Sequence, residues 1–190
     1  MRNSIRLAAA GTAAACILVP AGPAAAQEHV QPDRRDDLSR VLWDSDVSVP
    51  APGRRYADVV RTRFDHRDDR VVVRASFVEL ARAGTLFAGV ETRTPSGRET
   101  FTVMATGRDR AGFLFQERKH ACPVGIRIDY AADHLRVAVP RSCLGDPDWV
   151  QLRFGASVMQ RDGDEIIDNS GAPRFGNRSP HPWTPRLRAG

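Results

Sequence analysis

The stretch of sequence that decides the fold is CPVGIRIDYAADHLRVAVPRSCLGDPDWVQLRF, residues 122–154. Its pattern predicts a strand at 124–130, a turn at 131–133 and a returning strand at 134–140. A connector then leads into a third strand at 149–160. Apolar and polar side chains alternate along all three strands, which is typical of a sheet with one face on a core and the other in water. The stretch therefore predicts antiparallel β-structure.

The two cysteines at the open end of this hairpin predict a disulfide. Cys122 precedes the turn by about as many residues as Cys143 follows it. Residues equidistant from a turn face each other in an antiparallel pair, within reach of a disulfide bond. A pair of buried free thiols is the alternative.

The rest of the chain carries similar short alternating segments, separated by turn residues, and no long helical pattern occurs. The predicted strands outside the opening stretch are 41–43, 56–64, 70–80, 86–94, 99–106, 112–117 and 165–168. Together these segments predict an all-β fold, an antiparallel β-sandwich of jelly-roll type with about eight or nine strands and one disulfide. A small closed barrel is the alternative.

Residues 1–26 have the three parts of a secretory signal peptide. Arg2 and Arg6 supply the positive start, residues 7–20 the apolar run, and three alanines at 24–26 the cleavage site. We expect cleavage after these alanines, no stable membrane span afterwards, and a secreted, extracellular product in an oxidising compartment. An uncleaved anchor is the alternative.

Composition divides the remaining 190 − 26 = 164 residues into three parts. Segment 27–40 is polar and charged, and it predicts a flexible leader. Segment 41–168 holds the predicted sandwich. Segment 169–190 is rich in proline and arginine, and it predicts an irregular tail.

The whole chain carries a formal net charge of +5, and loss of Arg2 and Arg6 lowers it to +3. This mild balance does not favour nucleic acid as a partner. A candidate surface for an anionic cell-envelope polymer is provided by four arginines of the tail, Arg174, Arg178, Arg186 and Arg188. A solvated terminus is the alternative interpretation.

At 140–150 the sequence PRSCLGDPDWV resembles uncharacterised secreted proteins of high-GC Gram-positive bacteria. A strand opening with Ala-Asp-Val at 57–59 and a Trp-Thr-Pro sequence at 183–185 fit the same group. The layout of predicted strands is also similar to the DOMON-like sandwiches, which include carbohydrate-binding modules. This resemblance implies a ligand-binding face on a sandwich, and it carries over no binding residue.

No catalytic motif stands out in the chain. A Gly-x-Ser-x-Gly sequence is absent, and the five histidines have no metal-binding spacing. The predicted disulfide removes both cysteines of the hairpin as thiolate nucleophiles. We therefore expect a non-catalytic protein, with a hydrolase of an unrecognised type as the least favoured alternative.

Two groups of aspartates are candidate ligands for calcium, because hard cations prefer oxygen ligands such as carboxylates. One group flanks a loop and the strand after it, and the other surrounds a turn. The candidates are Asp44, Asp46 and Asp58 in the first group and Asp162, Asp164 and Asp168 in the second. Neither group has the spacing of an EF-hand, and solvated turn residues are the alternative.

Four aromatic residues near strand ends are candidate ligand-binding residues: Trp43, Tyr56, Trp149 and Trp183. Sugars stack on exposed aromatic rings, whereas the alternative is that these rings pack against the end of the sandwich. We expect a secreted, non-catalytic β-sandwich that binds a glycan or another cell-envelope ligand. A structural or protein-interaction module of the extracellular space is the alternative.

Overall fold

The computed structural model describes residues 27–42, 47–80, 84–106, 113–115, 122–160, 163–171 and 181–190, and the predicted signal peptide lies outside them. The described residues form thirteen strands and one short 3-10 helix, Arg141–Leu144. The strands are β1 (Gln27–Pro32), β2 (Ser39–Leu42), β3 (Val47–Pro50), β4 (Val59–His66), β5 (Arg70–Phe77), β6 (Thr85–Thr94), β7 (Gly97–Thr106), β8 (Phe113–Phe115), β9 (Gly125–Asp129), β10 (His134–Pro140), β11 (Trp149–Met159), β12 (Glu165–Asn169) and β13 (Leu187–Arg188).

The strands form two antiparallel sheets. Sheet A has the strand order β1-β4-β5-β10-β9. Sheet B has the order β3-β2-β12-β11-β6-β7-β8, and β13 also pairs with β11. The predicted antiparallel β-sandwich is confirmed. It has more strands than the eight or nine expected, because β1 and β3 in segment 27–50 and β13 in the C-terminal segment have no counterpart among the predicted strands.

The apolar side chains that alternate along the strands pack between the two sheets. Phe64 of sheet A and Phe101 and Phe154 of sheet B are at most 1% exposed. Phe77 meets Phe154 edge-on, with the ring centroids 6.4 Å apart. Burying one such ring stabilises the fold by roughly 2–3 kcal/mol relative to leaving it in water. The period-two pattern therefore fixes which face of each strand turns inward.

The opening stretch folds as the sequence predicts. β9 and β10 pair around the predicted turn, with His134 opposite Asp129. Cys122 and Cys143 form the predicted disulfide, with their Cα atoms 6.0 Å apart. The third predicted strand, β11, belongs to sheet B, so the connector at 141–148 crosses from one sheet to the other. The disulfide therefore ties the entrance of the hairpin to this crossing connector.

Segment 27–40 is not a flexible leader, and that prediction was wrong. β1 pairs with β4 along its whole length at the edge of sheet A, and β2 pairs with β12 and β3 in sheet B. The buried Gln31 donates its Nε2–H to the carbonyl oxygen of Ser170 at 2.6 Å, and Leu38 is fully buried. Polar composition misleads here because a strand at a sheet edge gains backbone hydrogen bonds that do not depend on its side chains.

Residues 181–190 pack against sheet B, so the domain extends beyond the expected boundary at 168. β13 lies beside β11, where Leu187 pairs with Val150. The fully buried His66 donates its Nδ1–H to the carbonyl oxygen of Leu187 at 2.9 Å; Nδ1 carries the proton because a carbonyl oxygen only accepts. The end of the chain is thus held by strand pairing and by a buried histidine.

Thr184 fixes the C-terminal segment to β11. It is 1% exposed, its Oγ1 accepts the N–H of Leu152 at 3.0 Å, and its own N–H donates to the Leu152 carbonyl oxygen at 2.9 Å. We expect Thr184→Val to lower the free energy of unfolding by about 1–3 kcal/mol, because the buried Leu152 N–H loses its acceptor. Thr184→Ser keeps the hydroxyl and should lose about 1 kcal/mol or less. Urea denaturation measures both variants, and equal losses would show that the hydroxyl does not anchor the segment.

Candidate functional site

The four aromatic residues predicted to bind a ligand do not form one platform. Trp43 lies outside the described residues, and Tyr56 is half-buried against the core. Trp149 alternates with the buried Val150 and so lies on the outer face of sheet B. Trp183 lies over β6 and β11 on the same sheet. The described aromatic candidates therefore offer two half-buried rings on sheet B.

Arginine side chains stack on both of these rings. The guanidinium carbon of Arg186 is 4.3 Å from the ring centroid of Trp149. Those of Arg93 and Arg153 are 4.5 Å and 4.7 Å from the centroid of Trp183. Such contacts are favourable cation–π interactions. Because a guanidinium group covers a face of each ring, this surface offers a sugar less room for stacking than the sequence predicts.

Four arginines, called here the arginine row, cross the outer face of sheet A. Arg63 on β4 lies directly opposite Arg74 on β5. Arg136 on β10 lies directly opposite Arg74 of β5 on one side and Arg127 of β9 on the other. Neighbouring strands are about 4.8 Å apart, so the row is roughly 14 Å long. Like charges directly opposite each other destabilise a sheet, so packing alone does not account for the row.

Asp65 neutralises one end of the arginine row. Its nearly buried carboxylate accepts hydrogen bonds from Arg63, Arg67 and Arg74. Burial alone would raise the pKa of Asp65, but the hydrogen bonds from Arg74 and Arg63 outweigh it and hold that pKa below its ordinary value. In the described part of the chain, the two members of the row on β10 and β9 have no acidic partner.

Arg136 borders a shallow depression of about 270 Å³ on this face. The depression is also lined by Arg70, which pairs with Asp69 at the same edge, and by the small or apolar residues Pro123, Gly125, Ala138 and Pro140. Burial lowers the pKa of Arg136, and the charges of four neighbouring arginines lower it further. A bound anion would offset this repulsion. The depression and the arginine row together form the best candidate site for an anionic ligand.

The fold rearranges the predicted calcium ligands. Three of them lie outside the described residues: Asp44, Asp46 and Asp162. Asp164 pairs with Arg40 at 2.6 Å, away from the other candidates. Asp58 and Asp168, which the sequence places in two separate groups, come together.

Two aspartates that were not predicted from the sequence complete this group, Asp33 and Asp37. Oxygens of Asp37, Asp58 and Asp168 lie within 4.8 Å of one another, and the charge of Asp33 acts on Asp168. We call these four residues the carboxylate cluster. The signal that could have found the missing pair is the group of three aspartates in segment 33–37, which directly precedes the buried Leu38 and the start of β2.

Three separate segments position the carboxylate cluster between the two sheets. Asp33 and Asp37 lie in the loop from β1 to β2, and Asp58 directly precedes β4. Asp168 points inward from β12 and is 3% exposed. Val59 donates its backbone N–H to Asp168 Oδ2 at 2.6 Å, which links the start of β4 to β12.

Burial and mutual repulsion raise the pKa values across the carboxylate cluster. Burial, and then the nearby charge of Asp33, raises the pKa of Asp168 to about 9. Burial raises the pKa of Asp33 to about 7 and the pKa of Asp58 to about 6. The pKa of Asp37 is also raised, mainly by burial. The cluster therefore favours either bound protons or a bound cation.

No protein-family model, curated protein or solved structure matches this chain. Among the described residues, no helix is long and apolar enough to cross a membrane. In the described part of the chain, the arginine row and the carboxylate cluster are two arrangements that can support a function.

Proposed function

We propose that this protein is an exported, non-catalytic module that binds an anionic cell-envelope polymer, a polysaccharide or a polyol phosphate, on the outer face of sheet A. The observation that carries the proposal is the arginine row, in which like charges face each other across four strands. This repulsion destabilises the free protein, and an anionic ligand would relieve it. Arg127 and Arg136 supply the open guanidinium groups, because Asp65 already engages Arg63 and Arg74.

The chemistry of these side chains suits acidic sugars. A guanidinium group presents its N–H donors in a fixed fork, which binds a carboxylate, sulfate or phosphate through two hydrogen bonds. The depression beside Arg136 adds Pro123, Gly125 and Ala138, whose carbon atoms can contact the apolar face of a sugar ring. One exposed ion pair contributes only about 0–1 kcal/mol. Useful affinity therefore needs several such contacts along a polymer.

The shape of the face favours a polymer over a small ligand. Five strands side by side form an open surface, and the depression of about 270 Å³ is smaller than the roughly 300–1,000 Å³ of pockets that enclose small molecules. Where the structure describes them, these strands place no Phe, Tyr or Trp on the outer face. Nucleic acid is a poorer match, because single strands bind by stacking bases on aromatic rings.

Calorimetric titration of the purified protein tests this proposal with three polymers: polygalacturonate, a glycerol phosphate polymer and neutral dextran. We expect binding to at least one of the two anionic polymers at about 150 mM salt, where long-range attraction is screened, and no binding to dextran. The double substitution Arg127→Gln, Arg136→Gln should weaken binding at least about tenfold, because two charge-assisted contacts are lost.

A matched control removes the same charge from sheet B and β13. Arg98→Gln, Arg188→Gln changes two exposed arginines and should alter the affinity by less than about twofold. The Arg127/Arg136 variant should not melt at a lower temperature, because it relieves like-charge repulsion. Binding to dextran as strong as to the anionic polymers, or unchanged binding by the Arg127/Arg136 variant, contradicts the proposal. No binding to any polymer also contradicts it and favours a protein partner.

A further inference from the structure

We propose that the carboxylate cluster is a calcium site that joins the two sheets. The four residues of the cluster belong to the β1–β2 loop, the start of β4 and the inner face of β12. None of them belongs to the arginine row. The calcium proposal is therefore independent of the proposed polymer binding.

The spacing of the oxygens fits a single cation. Asp37, Asp58 and Asp168 each offer one carboxylate oxygen, and these three oxygens lie within 4.8 Å of one another. Calcium binds its oxygen ligands at about 2.3–2.6 Å, so two ligands of one ion are at most about 5 Å apart. The three carboxylates can therefore reach one ion without a change in the strands. Asp33, whose charge acts on Asp168, is the fourth acidic group at the site.

Asp58 gives an independent sign of a cation site. It is fully buried, and its Oδ1 has no hydrogen-bond partner, whereas its Oδ2 accepts the N–H of Asp36 at 3.1 Å. Asp37 Oδ1 is also buried without a partner. A buried carboxylate oxygen without a partner is strongly destabilising unless a cation or a proton satisfies it. Within the described ranges, the exposed Arg34 and Arg35 form no ion pair with these oxygens.

The set of ligands selects calcium among the common cations. All the donors are carboxylate oxygens, and no described histidine or cysteine joins the group, which disfavours zinc and copper. The carboxylates come from three segments, one of which is a loop. Calcium accepts such irregular sets of six to eight oxygens, whereas magnesium needs a near-ideal octahedron at shorter distances.

Bound calcium would clamp the two sheets together. Asp33 and Asp37 follow the edge strand β1 of sheet A, whereas Asp168 lies on β12 of sheet B. One ion bound by the loop aspartates and by Asp168 therefore couples the ordering of the β1–β2 loop to the packing of β4 against β12. Because the three segments meet only in the folded chain, calcium binding adds directly to the stability of the fold.

Calorimetric titration of the chelator-treated protein with calcium chloride tests this proposal. We expect one calcium ion per chain. At a hundredfold excess over the dissociation constant, the melting temperature should rise by roughly 5–10 °C. Asp168→Asn should weaken binding at least about tenfold, because it removes one ligand charge. This variant keeps an oxygen acceptor for the Val59 N–H, so it should still fold. Asp37→Asn, in the half-buried loop, should weaken binding in the same way.

Asp148→Asn is the matched control, because Asp148 is an exposed acid outside the cluster, and it should bind calcium like the wild type. The absence of both binding heat and a thermal shift at about 10 mM calcium would overturn the proposal, since even weak extracellular sites bind below that concentration. Equal binding by wild type and Asp168→Asn would also overturn it. Magnesium binding as tight as calcium binding would overturn the choice of metal. These outcomes leave the polymer-binding proposal intact, because its variants change other residues.

Discussion

In the presence of a chelator, the protein should lose stability as the pH rises from 7 to 9, and calcium should abolish this loss. The fold raises the pKa of Asp168 to about 9 from an ordinary value of 3.8. Between these values the folded state keeps a proton that the unfolded state has released, so stability falls as the pH rises. Asp33, with a pKa of about 7, adds to the fall at the lower end of the range. The expected loss is about 2 kcal/mol, or roughly 4–8 °C in melting temperature.

Above pH 7, the change in stability with pH reports on the carboxylate cluster and not on the histidines. Burial lowers the pKa of His66 and the pKa of His181, so both are neutral in the folded chain at these pH values. The other charged groups that face the cluster are Asp36, Arg34 and Arg35. Scanning calorimetry at several pH values, with chelator or with calcium, measures the effect. A melting temperature that rises or stays level with pH in chelator contradicts the expectation.

Two substitutions test whether Asp168 causes the fall in stability with pH. Asp168→Asn should remove most of the fall with pH, because an amide does not titrate but still accepts the Val59 N–H. It should also make the calcium-free protein more stable than the wild type at pH 8, because the wild-type carboxyl must keep a proton that it releases on unfolding, whereas the amide has no such cost. Asp148→Asn should keep the fall of the wild type. If the stability of Asp168→Asn still falls with pH as in the wild type, a group other than Asp168 causes the fall.

Replacing Cys122 and Cys143 together by serine should lower the free energy of unfolding by roughly 3 kcal/mol. The bond joins residues 21 positions apart and ties the entrance of the β9–β10 hairpin to the connector between the sheets. Its loss frees the unfolded chain and should lower the melting temperature by roughly 6–12 °C.

The matched control for this substitution is the reduced wild-type protein, which has the same side chains without the bond. Urea denaturation of the oxidised, reduced and serine forms gives the comparison. The reduced and serine forms should lose similar stability. A loss below about 1 kcal/mol in both forms would show that the disulfide contributes little to the fold.

The strands of the sandwich could be predicted because their signal is local. Alternation along 122–154 needs only neighbouring residues, and the disulfide follows from the symmetry of one turn. The order of segment 27–40 and the docking of the C-terminal segment depend on distant partners. Gln31 bonds a residue 139 positions away, and His66 bonds one 121 positions away. No local pattern specifies such pairings.

The candidate sites could be predicted only in part, for the same reason. Asp58 and Asp168 are recognisable as oxygen donors from their types and their places near turns. Their meeting requires β12 to pack against the start of β4, which the sequence does not reveal. The arginine row depends on the register between β5 and β10, which belong to different hairpins. Arg74 and Arg136 therefore carry no signal of a shared site in the sequence.

NMR of the arginine side chains gives the sharpest test of the polymer-binding proposal. The Nε–H signals of the purified protein would be recorded with and without polygalacturonate and the glycerol phosphate polymer, and assigned with the arginine-to-glutamine variants. We expect the signals of Arg127 and Arg136 to shift with whichever polymer binds, while those of Arg93 and Arg153 on sheet B stay unchanged. Shifts confined to the sheet B arginines beside Trp183, or no shift at all, would contradict the proposal.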